Sequence, residues 1–103
     1  MMRKINNRLM AIVSLWIVSL ANVALANPAT VNHPGRDLAS NCFQCHGTDG
    51  YGYEHLAGKR VSKIVEELQE MSDRPIDKNI MNVHAQAYTA DEIKLIADYF
   101  SKQ

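Results

Sequence analysis

The 103-residue chain is poor in cysteine, with only two, and it has no excess charge, with eleven basic and eleven acidic side chains. Two cysteines exclude the dense disulfide framework of many small exported proteins. They also lie only three positions apart, so a bond between them would close a loop too short to restrain the unfolded chain much. A structural disulfide is therefore a poor explanation of the pair.

The first 26 residues have the pattern of a secretory signal peptide. A basic start precedes an apolar run at residues 9–20, and the small-x-small pattern at residues 24–26 predicts cleavage before Asn27. The alternative is an uncleaved membrane anchor, but polar residues dilute a run that is already near the minimum length for crossing a bilayer. We therefore expect a periplasmic protein, with membrane contact only if the segment stays attached.

Cleavage would change the charge balance. The removed segment contains three basic and no acidic residues, so residues 27–103 carry eight basic against eleven acidic side chains, a net charge of −3. This balance disfavours nucleic-acid binding. A domain of this length often needs a disulfide, a metal or a cofactor for stability. Residues 27–34 contain two prolines and are expected to be a flexible lead-in, with residues 35–103 as the folded domain.

The sequence predicts an all-α domain, because three segments have helical periodicity and no segment has a strand pattern. The first spans about residues 36–46, and Gly47 suits its end. The second has an apolar stripe from Val61 to Met71. The third begins at Thr89, which forms a predicted capping box with Glu92.

The motif "CFQCHG" places Cys42, Cys45 and His46 together. A redox dithiol would need a βαβ setting, and a zinc site would need two further ligands, for which the other three histidines lack a suitable spacing. The remaining interpretation is covalent haem attachment, for which C-x-x-C-H is the signature. Each thiol adds to one vinyl group of the porphyrin, and His46 is then the proximal ligand of the iron.

Met81 is the favoured second axial ligand. It lies in the irregular segment between Pro75 and the last helix, where a methionine can reach the opposite face of the haem. His84 is the rival ligand, and Met71 is expected to pack in the core. A His/Met pair raises the reduction potential and leaves no open position on the iron, which suits electron transfer. The alternatives are a haem enzyme or ligand sensor with an open sixth position, and a haem-free module that uses the two thiols.

These motifs resemble the class I c-type cytochromes over residues 35–103. "CFQCHG" matches the haem motif, and "IMNVHAQAYTADEIKLIADYF" is similar to the ligand-methionine loop and C-terminal helix. The likeness is greatest to the small cytochrome subunit of flavocytochrome c sulfide dehydrogenases and to cytochrome c4/c5-type carriers. It implies a small cytochrome c fold, with about three helices wrapped around one covalently bound haem c and with Gly35 and Leu38 near Tyr99 and Phe100.

The resemblance also implies roles for individual residues and partners. Cys42 and Cys45 would carry the thioethers, and His46 and Met81 would be the axial ligands. The protein would then be an electron carrier rather than an enzyme. Its partners would be redox proteins, and a flavoprotein subunit is the partner if the chain is the haem subunit of a sulfide dehydrogenase.

One feature departs from the family pattern. Relatives commonly have a proline after the haem motif, in a neighbourhood that provides a backbone acceptor for the proximal histidine, but no proline occurs between His46 and Pro75. A carbonyl near residues 54–56 is expected to take that role. Three cations are candidates to face the haem propionates or a docking partner: Lys59, Arg60 and Arg74. For any one of them, solvated surface charge is the favoured interpretation.

Overall fold

A computed structural model of the chain describes residues 28–103, and every regular element in that range is helical. The helices are α1 (Pro28–Val31), α2 (Pro34–Leu38), the 3-10 helix η1 (Ala39–Cys42), α3 (Phe43–His46), α4 (Val61–Ser72), α5 (Ile80–Gln86) and α6 (Ala90–Ser101). The predicted all-α fold is confirmed. The predicted signal peptide, residues 1–26, lies outside the described residues. Within residues 28–103 no helix has the length and apolarity needed to cross a membrane.

The first predicted helix is broken into three short pieces. His33 caps α2, because its Nδ1 accepts the Gly35 N–H at 3.0 Å. The chain then continues as the 3-10 helix η1 and returns to α-helical geometry in α3, which ends at Gly47 with φ of +78°. A 3-10 helix turns through 120° per residue instead of 100°, so it rotates the following side chains relative to those before it. Leu38 and Cys42 pack against the core, and Cys42 and Cys45 also line a cavity.

Helices α4 and α6 match their predicted positions. The capping box at the start of α6 is confirmed, since the Thr89 N–H donates to Glu92 Oε2 at 2.8 Å and the Glu92 N–H donates to Thr89 Oγ1 at 3.3 Å. Two otherwise unpaired amides are thereby satisfied. The cap fixes where the apolar stripe of α6 begins.

The core forms where α6 packs against α2 and α4. Its buried cluster consists of Ala39, Ile64, Ile96, Ala97, Tyr99 and Phe100. Gly35 lies so close to α6 that a Cβ built on it would be 2.0 Å from the Leu95 carbonyl oxygen. Only glycine permits this approach of the two backbones. The expected proximity to Tyr99 and Phe100 holds for Leu38, which packs on that cluster, whereas Gly35 faces Leu95.

The segment between α4 and α6 contains a helix that the sequence did not reveal. Asn79 caps α5 by accepting the Met81 N–H at 2.8 Å. Buried Asn82 donates to the Pro75 carbonyl at 2.8 Å, and Gln86 donates to the Arg74 carbonyl at 2.8 Å. The prediction of an irregular segment around residue 81 was therefore wrong, because these long-range hydrogen bonds stabilise a helix too short to form alone.

The part of the expected lead-in that the structure describes, residues 28–34, contacts the C-terminal helix. Residues 28–31 form a helical turn, and His33 donates from Nε2 to Asp98 Oδ2 at 2.8 Å. The His33 ring also lies against Tyr99, with 5.8 Å between centroids. Asp98 in turn accepts from Lys102 at 2.6 Å. These contacts attach the start of the described chain to α6.

The Asp98 pairing predicts how stability depends on pH. Hydrogen bonds from Lys102 and His33 lower the pKa of the Asp98 carboxyl below its usual value of 3.8. A carboxyl whose pKa is lower in the folded state contributes stability above its unfolded pKa, and this contribution disappears as the pH falls through the folded pKa. We expect acid unfolding to be less steep in Asp98→Asn than in the unsubstituted protein, as measured by urea denaturation from about pH 6 down to about pH 2.5.

Asp77→Asn is the matched control, because Asp77 is exposed and pairs only with its neighbour Lys78. It should keep the pH dependence of the unsubstituted protein. Equal pH dependence in the Asp98 and Asp77 variants would contradict the assignment.

Candidate functional site

A cavity of about 500 Å³ opens between the η1–α3 segment, α4, α5 and α6. It brings together the four residues that the sequence predicts to attach haem or bind its iron: Cys42, Cys45, His46 and Met81. Its volume lies within the range of pockets that hold organic cofactors. Apolar side chains make up most of the remaining wall, among them Leu56, Ile64, Leu68, Ile96 and Phe100.

The two cysteines enter the cavity wall from different surroundings. Cys42 ends η1 and is half-buried, whereas Cys45 in α3 is exposed. Both are free thiols. Burial raises the pKa of the Cys42 thiol to about 11. A thiol with a raised pKa is protonated at neutral pH, so Cys42 is not suited to be the attacking thiol of a redox dithiol.

His46 is held in one orientation by a backbone carbonyl. The residue ends α3, it is 6% exposed, and its Nδ1 lies 2.6 Å from the Tyr53 carbonyl oxygen. A carbonyl can only accept, so Nδ1 carries the proton and Nε2 of the neutral ring has a free lone pair. Within residues 28–103, Nε2 has no hydrogen-bond partner. This is the arrangement that a histidine needs to bind a metal through Nε2.

The chain reverses sharply after His46 to bring Tyr53 into place. The Gly52 N–H donates to the His46 carbonyl at 2.8 Å, and the Tyr53 N–H donates to the Cys45 carbonyl at 2.9 Å. A Cβ on Gly52 would lie 2.6 Å from the Cys45 carbonyl oxygen, closer than side chains approach. The acceptor expected near residues 54–56 is the carbonyl of Tyr53, the residue directly before that range. The glycine that precedes Tyr53 is the sequence signal that could have located it.

The C-terminal helix fixes the rest of this loop. The Tyr99 hydroxyl donates to the Thr48 carbonyl, and the Gly58 N–H donates to the Phe100 carbonyl at 3.0 Å. Gly50 has φ of +75°, and a Cβ there would lie 2.9 Å from the Phe100 ring. The loop that orients His46 is thus attached at both ends to α6, so the orientation of the imidazole depends on the core.

Two methionines, not one, line the cavity. Met81 lies in the first turn of α5, and Met71 lies near the end of α4; both are half-buried. The expectation that Met71 only packs in the core was therefore incomplete. His84, the rival ligand, is not among the residues that line the cavity. Among the described residues no group of three or more histidine, cysteine or acidic side chains could hold a metal ion by itself.

The donors in this cavity fit a covalently bound haem. Haem c needs two thiols for its vinyl groups, an imidazole with a free nitrogen and a large apolar space. All three are found in one cavity, and a thioether is available in the same wall. A bare metal ion would instead need several protein ligands, which the site does not offer.

Comparison with known proteins points to the same cofactor. No protein-family model matches the chain. It is 36% identical over 69 residues to the cytochrome subunit of sulfide dehydrogenase of Chlorobaculum tepidum, a match covering 64% of this chain and 63% of the relative. It is 33% identical over 63 residues to cytochrome c-552 of Acidithiobacillus ferridurans, covering 58% and 27%. It is 29% identical over 90 residues to cytochrome c-553 of Nitratidesulfovibrio vulgaris, covering 80% and 88%.

The first two matches span less than two thirds of the relatives' own lengths, whereas the third spans most of the relative. All three relatives are cytochromes, and the resemblance found in the haem motif agrees with their names. The helical fold, the cavity and these similarities together support a small c-type cytochrome related to the cytochrome subunit of sulfide dehydrogenase, with covalently bound haem c as the implied cofactor.

Proposed function

We propose that the chain is an exported mono-haem electron carrier in which Cys42 and Cys45 form the thioethers and His46 and Met81 bind the iron. One observation carries the proposal. His46 is buried with Nδ1 bonded to the Tyr53 carbonyl, and it shares a cavity with both thiols and Met81. No other histidine in the described chain lines that cavity.

Haem supplies a one-electron ferric/ferrous couple when it is bound. The protein's part is to hold the iron in one ligand field in both oxidation states. The Tyr53 carbonyl keeps the imidazole from rotating and increases its basicity as a ligand. Met81 offers a soft thioether that favours ferrous iron and so raises the reduction potential. The apolar walls limit water, which disfavours the charged ferric state further.

Cys45 offers a route for electrons to the surface. It is exposed, whereas Cys42 is half-buried, so the cofactor edge joined to Cys45 would lie nearest to solvent. A partner docking there could exchange an electron without touching the iron. This arrangement suits an electron carrier in which the sixth coordination position of the iron is filled. It suits an enzyme with an open sixth position less well.

The electron donor is proposed from the relatives. Similarity to the cytochrome subunit of sulfide dehydrogenase supports a role as the haem subunit that accepts electrons from a flavoprotein. Similarity along most of cytochrome c-553 supports a free periplasmic carrier. Because mature residues 27–103 carry a net charge of −3, a carrier would dock best on a basic surface.

Purification of the mature protein from its native membrane-free extract tests this function. We expect a c-type haem spectrum that changes reversibly between oxidised and reduced forms and no binding of carbon monoxide by the reduced protein. Flavin fluorescence that co-migrates with the haem would support the subunit role, and haem without flavin would support the free carrier. Rapid carbon monoxide binding would contradict the filled sixth position and favour a ligand sensor.

Gly52→Ala tests the loop that orients His46. The added Cβ would force the backbone of residues 45–46 away from Gly52, so we expect a loss of roughly 1–3 kcal/mol in the free energy of unfolding. The hydrogen bond to Tyr53 should lengthen, which would lower the basicity of the imidazole and shift the reduction potential upward. Urea denaturation and potentiometry of the haem-loaded protein measure the two effects.

Thr89→Ala is the matched control. Thr89 lies outside this loop and caps α6, so its loss should lower the free energy of unfolding by about 1 kcal/mol without touching residues 45–53. Its reduction potential should match that of the unsubstituted protein. Equal shifts of the reduction potential in both variants would contradict the claim that this loop orients His46.

Met81→Ala tests the second axial ligand. Loss of the thioether should abolish the methionine–iron charge-transfer band at the red edge of the ferric spectrum, lower the reduction potential and allow carbon monoxide to bind. Met71→Ala is the matched control, because Met71 lines the same cavity from α4. The Met71→Ala protein should keep the charge-transfer band. Only its free energy of unfolding should fall, by about 2–4 kcal/mol. If the band disappears in Met71→Ala and persists in Met81→Ala, the assignment must be reversed.

A further inference from the structure

Only a few ionisable side chains interrupt the apolar wall of the cavity. Apart from Cys42, Cys45, His46 and Tyr53, those among the described lining residues are Glu54, Lys59 and Glu67. Lys59 is the single cation of that set. Haem c brings two propionate carboxylates, which lie on the opposite side of the ring from the vinyl groups and cannot be left buried without a partner.

Lys59 is positioned by the backbone and not by its own ion pair. The preceding Gly58 N–H donates to the Phe100 carbonyl at 3.0 Å, and the Lys59 N–H donates to the Leu56 carbonyl at 3.1 Å. Phe100 and Leu56 themselves line the cavity. The Lys59 backbone is therefore attached to the cavity wall. Its long, flexible side chain can reach different acceptors nearby.

The ion pair that Lys59 makes is weak. Its Nζ lies 3.9 Å from Glu67 Oε2, and the two side chains are 36% and 32% exposed. A contact at that distance and exposure contributes little. Glu67 also has a second cation, since Lys63 Nζ lies 3.6 Å from its Oε1 and 3.7 Å from Glu66 Oε2, and so serves both carboxylates. If Lys59 moves away from Glu67, the Glu67 carboxylate therefore still has a cation beside it.

From this arrangement we infer that Lys59 binds a haem propionate and that Glu67 is left to Lys63. The inference rests on the proposed function, because it requires haem in the cavity. Lys59 is thus distinguished from the two other cations named from the sequence. Arg60 is exposed at the start of α4, and Arg74 pairs with Glu70; neither lines the cavity.

The pairing has an electrostatic consequence for the iron. A propionate without its cation places uncompensated negative charge near the iron and so favours the ferric state. Lys59 offsets that charge from the cavity wall, whereas Lys63 does not line the cavity. The other charged groups facing the cavity are the carboxylates Glu54 and Glu67, which act in the opposite direction to Lys59.

The test compares Lys59→Met with Lys63→Met in the mature haem-loaded protein. Both substitutions remove a cation that neighbours Glu67, but only Lys59 lines the cavity. Potentiometric titration between about pH 5 and about pH 9 is the readout. We expect Lys59→Met to lower the equilibrium constant for reduction roughly tenfold, and Lys63→Met to lower it less than about twofold.

The pH profile separates an electrostatic role from a structural one. Without the Lys59 cation the pKa of the propionate rises, so the pH range over which the potential varies should move upward in Lys59→Met and not in Lys63→Met. Lys59→Arg should restore the potential and the profile. Lys59→Gln replaces Lys59→Met in the same comparison if the methionine variant does not retain haem.

Equal shifts in the Lys59 and Lys63 variants, or an unchanged potential in the neutral Lys59 variants, would overturn the inference. These outcomes leave the proposed function intact, because the protein would still hold haem and change oxidation state reversibly. Absence of haem from the unsubstituted mature protein would instead contradict the proposed function itself.

Discussion

The hydrogen bond between His46 Nδ1 and the Tyr53 carbonyl determines what the site can do. It selects the tautomer that leaves Nε2 free, and it fixes the ring in a buried position. Because the acceptor is a backbone atom, the identity of the Tyr53 side chain does not decide the interaction. What matters is that Gly52 lets the chain pass within hydrogen-bond distance of residues 45–46. The site therefore does not need the proline-associated acceptor common in related cytochromes.

Folding and cofactor binding depend on the same side chains in this small domain. Ile64, Ile96 and Phe100 belong both to the buried core cluster and to the wall of the cavity. A domain of this length has few other apolar residues to bury. An apolar macrocycle of haem size would fill the cavity of about 500 Å³ and complete the core. Binding to the folded state alone would also stabilise the domain by mass action.

Local signals in the sequence were sufficient for much of the fold. The capping box of Thr89 and Glu92 and the apolar stripe of α4 depend on residues within a few positions of each other, and both predictions are confirmed. The C-x-x-C-H spacing led to three residues that share one cavity, and Met81 joins them from another helix. The roles of these four as thioethers and axial ligands remain predictions.

Features that depend on distant contacts could not be predicted. Helix α5 forms because Asn82 bonds to Pro75 and Gln86 bonds to Arg74, interactions that only the folded chain brings together. The break into η1 was not predicted, because the apolar periodicity continues through residues 38–46. Met71 was assigned to the core because periodicity identifies an inward face without distinguishing protein from cofactor as the neighbour.

The mass of the tryptic peptide spanning residues 37–59 of the mature protein tests the central claim most directly. This peptide contains both cysteines and His46, and no internal lysine or arginine. The account predicts one species, with the mass of the peptide plus one haem, that survives acid denaturation and resists alkylation of its thiols. A peptide of unmodified mass with two alkylated cysteines would contradict the account.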